Sequence, residues 1–312
     1  GDRQQMLGQL EELERMNRAD SVMRNDSQAE QLVEYFDRHG TPNERMRAHY
    51  ILGRTYADME EYPRALETYL IAADCADTTD VYCDYYTLSR VHIHCATIYD
   101  TQVLPRCQLA ELRRAEECAW KARDTLTAIE SFSQTANAYS LLKMPDSVVY
   151  IREKASQMFA AVNQMQRSAK KVGPAITSAI RIGDLKRARL FIDYYENFSG
   201  LFDSAKNIQH GREMFYYAKG EYYMAIKQID SAENMFRRLQ MCNSTLNEQI
   251  ASSKGLQEVY EELKIPDSIA KYANLAYQLN DSAYSLAEME NLQRLKATSR
   301  SEERRVGKEC RS

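Results

Sequence analysis

The sequence predicts an all-α protein, a superhelical solenoid of stacked helix hairpins. Proline and glycine number only 6 and 11 among 312 residues, so little would interrupt helices. Runs of alternating β-branched residues, which would indicate strands, are absent. A pattern of glycine, alanine and tyrosine at helical spacing recurs along the chain, as is typical of repeats that pack mainly against their neighbours.

A helical cap is predicted first, over residues 1–44. Its first helix has an apolar stripe at spacings of three, formed by Leu7, Leu10, Leu13 and Met16. A second helix is predicted over residues 19–36, ending before Gly40 and Pro42. We expect the two helices to cover the exposed side of the first repeat.

The clearest copy of the repeat lies in residues 49–72. Its signature residues are Leu52, Gly53, Tyr56, Ala65, Tyr69 and Ala72. The glycine should let the two helices of the hairpin approach closely, the leucine and tyrosines should fill the seam, and the alanines should be small where helices cross. This combination resembles the tetratricopeptide repeat (TPR).

Further copies follow, and the array is predicted to span residues 45–279 in about six irregular repeats. The second-best copy contains Gly220, Tyr223, Ala232 and Phe236. Weaker copies lie in residues 96–122, 136–155, 176–195 and 259–276. Longer loops are expected near residues 74–86, 100–110 and 196–211. Pro-Asp-Ser or Ile-Asp-Ser at 145–147, 229–231 and 266–268 should start the second helix of a repeat, with Asp or Ser capping backbone N–H groups.

Two further segments follow the array. Apolar residues at spacings of three or four predict an extended helix or the start of a coiled coil over residues 280–299, and they include Leu279, Leu286, Met289, Leu292 and Leu295. Residues 300–312, RSEERRVGKECRS, read as a translation of a common sequencing-adapter oligonucleotide. We therefore expect an adapter-derived end, beyond which the natural protein continues.

Composition argues against several classes of protein. The formal charge is -4, and it becomes -6 without the five basic and three acidic residues of 300–312, which disfavours nucleic-acid binding. No apolar run is long enough to cross a membrane. One of the seven cysteines lies in residues 300–312. The other six form no C-x-x-C pair and are best interpreted as small thiols packed between helices.

Catalytic chemistry is not indicated. Phosphate-binding glycine loops, zinc-protease and serine-hydrolase motifs are absent, and adjacent glutamates such as Glu60 and Glu61 diverge around a helix. His92 and His94 would point about 200° apart on a helix, one to the seam and one to solvent, which disfavours a shared metal. The sequence therefore predicts a non-enzymatic protein without a cofactor or metal site.

A binding groove is predicted on the first helices of the repeats, where side chains that do not fill the seam can contact a ligand. The candidate contacts are Tyr50, Arg54, Asp58, Asn137, Tyr217 and Glu221. Tyrosine and arginine are common interface anchors. The alternative for each is a solvated helix face. Tyr50 and Arg54 replace the Lys/Asn pair that clamps a terminal carboxylate in some TPR proteins, so a ligand of that type is not expected.

Residues 35–42 and 47–59, together with Ala19-Asp-Ser21, resemble a group of TPR proteins from gut Bacteroidetes over about residues 15–298. The resemblance implies a lipoprotein or secretion leader, a periplasmic repeat array and a membrane-anchored signalling or regulatory output. A protein or peptide of unknown identity would be the partner. The alternative is a soluble cytoplasmic TPR scaffold, which unpaired cysteines favour.

Overall fold

The computed structural model describes residues 1–242 and 245–309, and it describes side chains only as far as Leu292. The chain divides into two compact units, Gly1–Leu141 with the residues from Asn291 onward, and Leu142–Glu290. The first contains α1 (Asp2–Arg18), α2 (Ser27–His39), α3 (Pro42–Asp58), α4 (Tyr62–Cys75), α5 (Tyr85–Thr101), α6 (Pro105–Lys121) and α7 (Thr125–Leu141). The second begins with α8 (Pro145–Ala161), α9 (Met165–Val172), a 3-10 turn (Gly173–Ala175), α10 (Ile176–Arg181) and α11 (Leu185–Phe198). It continues with α12 (Met214–Ala225), α13 (Ile229–Cys242), α14 (Leu246–Leu263) and the start of α15 (Pro266–Glu309).

In the first unit, consecutive helices pack as hairpins, of which α3 with α4 and α5 with α6 are the most extensive. Thr41 and Glu44 form a reciprocal capping box that fixes the start of α3. The signature residues of the clearest repeat copy all lie in the core of this hairpin, and Ala65, Tyr69 and Ala72 are fully buried. A Cβ atom on Gly53 would lie 2.5 Å from the Tyr69 ring, so only glycine lets α3 and α4 come this close.

In the second unit, one aromatic ring joins three helices. Phe236 of α13 is fully buried, and a Cβ atom on Gly220 of α12 or on Gly255 of α14 would lie 2.4 or 2.5 Å from its ring. Ala232 is also fully buried, and Tyr223 packs at the edge of the same cluster. The ring of Phe236 therefore fixes the spacing of α12, α13 and α14.

Two predicted boundaries are wrong. The helix expected over 19–36 begins only at Ser27. The loop expected near 100–110 is a three-residue turn, because Pro105 starts α6 and Val103 takes a positive φ of 56°. Proline is well suited to the first helical position, where its missing N–H needs no partner. The chain does form long connections over residues 76–84 and 199–213.

The Pro-Asp-Ser and Ile-Asp-Ser segments lie where helices start, since α8, α13 and α15 begin at Pro145, Ile229 and Pro266. The expected side-chain cap is not formed on α8, whose N-cap residue is Met144 without a capping side-chain hydrogen bond. Asp146 instead lies in the first turn, where a carboxylate interacts favourably with the helix dipole.

The last helix, α15, is 44 residues long. Leu286, Met289 and Leu292 are more than half exposed along it. Within the described residues, no helix is both long and apolar enough to cross a bilayer. Two predictions lie outside the described part of the chain. The side chains of Leu295 and of residues 300–309, which were predicted to be adapter-derived, are not described. The last three residues of that segment, 310–312, are not described at all.

Candidate binding grooves

A cleft of about 290 Å³ lies in the first unit, where it crosses α1, α3 and the start of α5. Each of these is the first helix of a pair of consecutive helices, and we call such first helices A helices. Each A helix contributes side chains spaced three or four residues apart, which places them on one helix face. The lining residues are Glu11, Glu14, Asn17 and Arg18 of α1, Arg47, Tyr50 and Ile51 of α3, and Asp84, Tyr86, Thr87 and Arg90 at the start of α5. We call this cleft the polar groove.

Tyr50, Arg54 and Asp58 lie together along α3, but they bind other parts of the chain. Tyr50 is only 7% exposed and forms a wall of the polar groove. Arg54 donates to Asn17 Oδ1 at 3.1 Å and to the Tyr69 hydroxyl at 3.4 Å. Asp58 accepts the backbone N–H of Met23 at 2.9 Å. These contacts hold the N-terminal segment against α3, and a role in ligand binding stays a prediction.

The exposed anchors of the polar groove were not predicted from sequence. Tyr86 is 45% exposed, and the Arg90 guanidinium lies 3.5 Å from the centre of its ring. Arg90 also pairs with Asp124 at 3.0 Å, which orients it. Tyr86 precedes the weak repeat copy of residues 96–122, which lacks the signature glycine, so no sequence register was available to place Tyr86 on the groove face.

His92 and His94 do not divide between seam and solvent as predicted. His92 Nδ1 lies 2.6 Å from Glu111 Oε2 in the seam between α5 and α6. His94 stacks on Tyr69 with ring centres 5.6 Å apart, and burial together with Arg54 and Arg90 lowers its pKa to about 3. The neutral ring of His94 is therefore a packing group. No cluster of three potential metal-binding side chains occurs among the described residues.

Asn137 is exposed on α7, and the structure does not place it among the residues that line the polar groove. It is thus separate from the Tyr50 group, although both lie in the first unit.

The second unit has a crevice of about 300 Å³ with a different character. Its lining residues are Gly173, Pro174 and Thr177, then Tyr195, then Gly211, Arg212, Met214, Phe215, Tyr217 and Ala218. A Cβ atom on Gly173 would lie 2.4 Å from the Tyr195 ring, so only glycine lets this ring pack here and line the crevice. Tyr195 and Phe215 have ring centres 5.2 Å apart. We call this site the aromatic crevice.

Tyr217 and Glu221 are brought together on α12, one turn apart, with Tyr217 lining the crevice. The Glu221 carboxyl group interacts by hydrogen bonding with Tyr217 and with Glu258 of α14. Burial, followed by the neighbouring Glu258 carboxylate, raises the pKa of Glu221 to about 8. Arg181 of α10 opposes this shift more weakly. At neutral pH the Glu221 carboxyl group is therefore largely protonated.

We expect Glu221→Gln to stabilise the protein at pH 8.5 but hardly at pH 5. Because the folded-state pKa lies above the usual 4.5, the stability that protonated Glu221 contributes is fully present below about pH 4.5 and is lost as the pH rises through about 8. Allowing for solvent screening of a partly exposed group, the gain at pH 8.5 should be about 1 to 2 kcal/mol. Urea unfolding at both pH values measures it, and an equal gain at both would contradict the assignment.

Two solved structures are similar to this chain. BtubC (BKLC) from P. vanneervenii matches with a TM-score of 0.54 and 14% identity, covering 77% of this chain and 93% of that one. Nearly identical TPR-like repeats of kinesin light chain type from Podosopora anserina match with a TM-score of 0.46 and 12% identity, covering 62% and 95%. No protein-family model matches the sequence. A search of curated proteins also finds no match.

The chain is thus an all-α repeat solenoid, and its fold is similar to that of BtubC, the match with a TM-score above 0.5.

Proposed function

We propose that this protein is a non-enzymatic scaffold that binds a protein or peptide against its A helices. The observation that carries the proposal is that each unit has a groove, one lined by α1, α3 and the start of α5, and the other by α12 together with the 3-10 turn, α10, α11 and the connection before α12. Both offer exposed side chains suited to anchoring a partner, such as Tyr86 in the polar groove and Met214 in the aromatic crevice. A groove of this form fits an extended or helical peptide.

Charged substitutions in the grooves should weaken binding about tenfold or more, since they place an unpaired charge at the contact. Peptides selected by phage display on the full chain would be measured by fluorescence anisotropy against Tyr86→Asp and Met214→Asp. The matched controls are Tyr150→Asp and Met241→Asp, which change residues 61% and 82% exposed on α8 and α13, away from both grooves. We expect the controls to bind as the unmodified chain does. Equal losses in groove and control variants, or no selected peptide at all, would contradict the proposal.

The finer proposal is a periplasmic sensor or scaffold, part of a membrane-anchored signalling or regulatory protein. Its support is the resemblance to TPR proteins of the Bacteroidetes envelope and the apolar residues exposed on α15. Long-read sequencing across the locus would test it. A lipoprotein leader upstream and an apolar segment of about 20 residues downstream would favour the envelope role.

A cytoplasmic scaffold is the second candidate. Its support is that Cys75, Cys83, Cys95, Cys107, Cys118 and Cys242 are all free thiols. Reduced thiols persist more readily inside the cell. Cell fractionation of the tagged full-length protein separates the two candidates, because only the envelope protein would be recovered with membranes.

A further inference from the structure

Three polar side chains that line the aromatic crevice are not used by the chain itself. They carry the hydroxyl groups of Thr177 and Tyr195 and the guanidinium group of Arg212. None of these three groups forms a hydrogen bond or an ion pair with another described residue. All three can donate hydrogen bonds, and one of them is a permanent cation.

The Tyr195 hydroxyl is nearly enclosed by the protein. Tyr195 is only 4% exposed, but its hydroxyl oxygen is not closed to solvent, and it therefore reaches solvent in the crevice that the residue lines. Burial raises the pKa of this hydroxyl, so it keeps its proton at neutral pH and can donate it to an acceptor. A buried tyrosine normally gives its hydroxyl a protein partner. This donor is instead available to an occupant of the crevice.

The other two donors lie on either side of this hydroxyl. A Cβ atom on Gly173 would lie 2.9 Å from Cζ of Tyr195, the atom that carries the hydroxyl, and Thr177 comes just after Gly173, at the start of α10. On the other side, Arg212 is close enough to Tyr195 for its charge to oppose the rise in the pKa of the hydroxyl. The backbone of Arg212 is fixed, since its N–H donates to Gln209 O at 3.1 Å.

The charge of the lining residues selects the kind of acceptor. Arg212 is the one charged residue among the described residues that line the crevice. Glu213 does not line it, and its carboxylate accepts the N–H of Gly211 at 2.8 Å and lies 3.0 Å from His210 Nδ1. Glu221 does not line it either and is largely protonated at neutral pH. A carboxylate suits this lining, because its two oxygens accept from a guanidinium and from hydroxyl groups together.

The remaining lining fits one aromatic ring. The rings of Tyr195 and Phe215 lie 5.2 Å apart at an angle of 35°, and Met214 is 41% exposed beside them. The volume of about 300 Å³ is at the lower end of the range for small-molecule pockets. One ring on a short chain fills such a space, whereas a longer peptide could insert only a single side chain.

We propose that the aromatic crevice is a binding site for a small aromatic carboxylate, a free acid whose ring and carboxylate are joined by a short carbon chain. The ring packs against Tyr195, Phe215 and Met214. The carboxylate accepts hydrogen bonds from Arg212, the Tyr195 hydroxyl and Thr177. This goes beyond the proposed function, because such a ligand binds without any protein partner.

Ligand-observed NMR titration of the full chain at neutral pH tests this with 3-phenylpropionate. We expect a dissociation constant of about 1 mM or lower, as a well-fitted ligand of this size gives. 3-Phenylpropionamide has the same shape without the charge and should bind at least about tenfold more weakly. Hexanoate has the charge without the ring and should bind about three- to tenfold more weakly. 3-Phenylpropylamine, a cation, should not bind.

Variants assign the preference to the donors. Arg212→Gln should weaken the acid at least about tenfold and abolish its advantage over the amide. Tyr195→Phe removes only a hydroxyl that has no partner in the described structure, so it should fold normally, as thermal unfolding would show, and weaken the acid about three- to tenfold. The matched controls are Arg106→Gln and Tyr277→Phe, at exposed positions of α6 and α15 that do not line the crevice. We expect the controls to bind as the unmodified chain does.

The outcomes separate this inference from the proposed function. If 3-phenylpropionate does not bind at about 10 mM, or binds no better than its amide, the inference is overturned. The same holds if Arg212→Gln and Arg106→Gln have equal effects. If a peptide ending in a phenylalanine carboxylate binds and the free acid does not, the ligand is the chain end of a partner, so the inference fails and the proposed function is supported. If the acid binds as expected but no phage-selected peptide does, the inference stands and the proposed function fails.

Discussion

Replacing Phe236 by alanine should lower the free energy of unfolding of the second unit by about 3 to 5 kcal/mol. The ring is fully buried and is packed closely against Gly220 and Gly255, so its removal leaves a cavity between three helices. Neither glycine has a side chain that could fill the space. Urea unfolding measures the loss, and hydrogen exchange should locate it in α12, α13 and α14, because repeats depend mainly on their direct neighbours.

The control for this substitution is Phe198→Ala. Phe198 ends α11 and is 52% exposed, so the same chemical change should cost less than about 1 kcal/mol. Similar losses for the two phenylalanines would mean that Phe236 does not have the packing role assigned to it.

A second large loss, about 3 kcal/mol, is expected for Gly53→Val. Its Cβ atom would lie 2.5 Å from Cδ1 and Cε1 of Tyr69, and the Tyr69 ring cannot easily move because it is fully buried. Arg54 also donates to the Tyr69 hydroxyl at 3.4 Å, which holds the ring in place. Thermal unfolding and hydrogen exchange in α3 and α4 would measure the effect.

A double substitution tests whether the Tyr69 ring is the cause. Gly53→Val should cost less in a Tyr69→Leu background than alone, since the smaller side chain leaves room for the added methyl groups. Gly8→Val is the control, because a Cβ atom on Gly8 of α1 would have no neighbouring atom within 4 Å. Only a helix-propensity change within about 0.5 kcal/mol is expected there. Additive losses in the double variant would exclude the proposed clash.

The fold was predictable because the clearest hairpins follow the same local rule. Gly53 faces the Tyr69 ring and Gly220 faces the Phe236 ring, alanines lie at helix crossings, and these residues occur at separations that are visible without any tertiary information. The boundaries were harder. The sequence pattern places Pro105 in a loop, but the structure shows that it starts α6. Proline is common both in loops and at the first position of a helix, so its presence does not decide between the two.

The candidate site was predictable only in part. The repeat pattern correctly assigns Tyr50 and Tyr217 to α3 and α12, and the structure places each beside a groove. It misses Tyr86 and Arg90 because the weak repeat copy that follows them lacks the glycine that would set its register. It also selects Arg54 and Asp58 as groove residues, but the sequence could not show that Asn17 and Met23 bind them.

The sequence by itself determined that this protein is built from helix hairpins, because the spacing of small and large residues depends only on helix geometry. Tertiary structure alone decided which polar side chains bind other parts of the chain and which keep an unsatisfied polar atom. Glu221 illustrates the reason. Its raised pKa and its unsatisfied oxygen arise from burial and from Glu258, which is 37 residues away in sequence and comes close only when α12 and α14 pack.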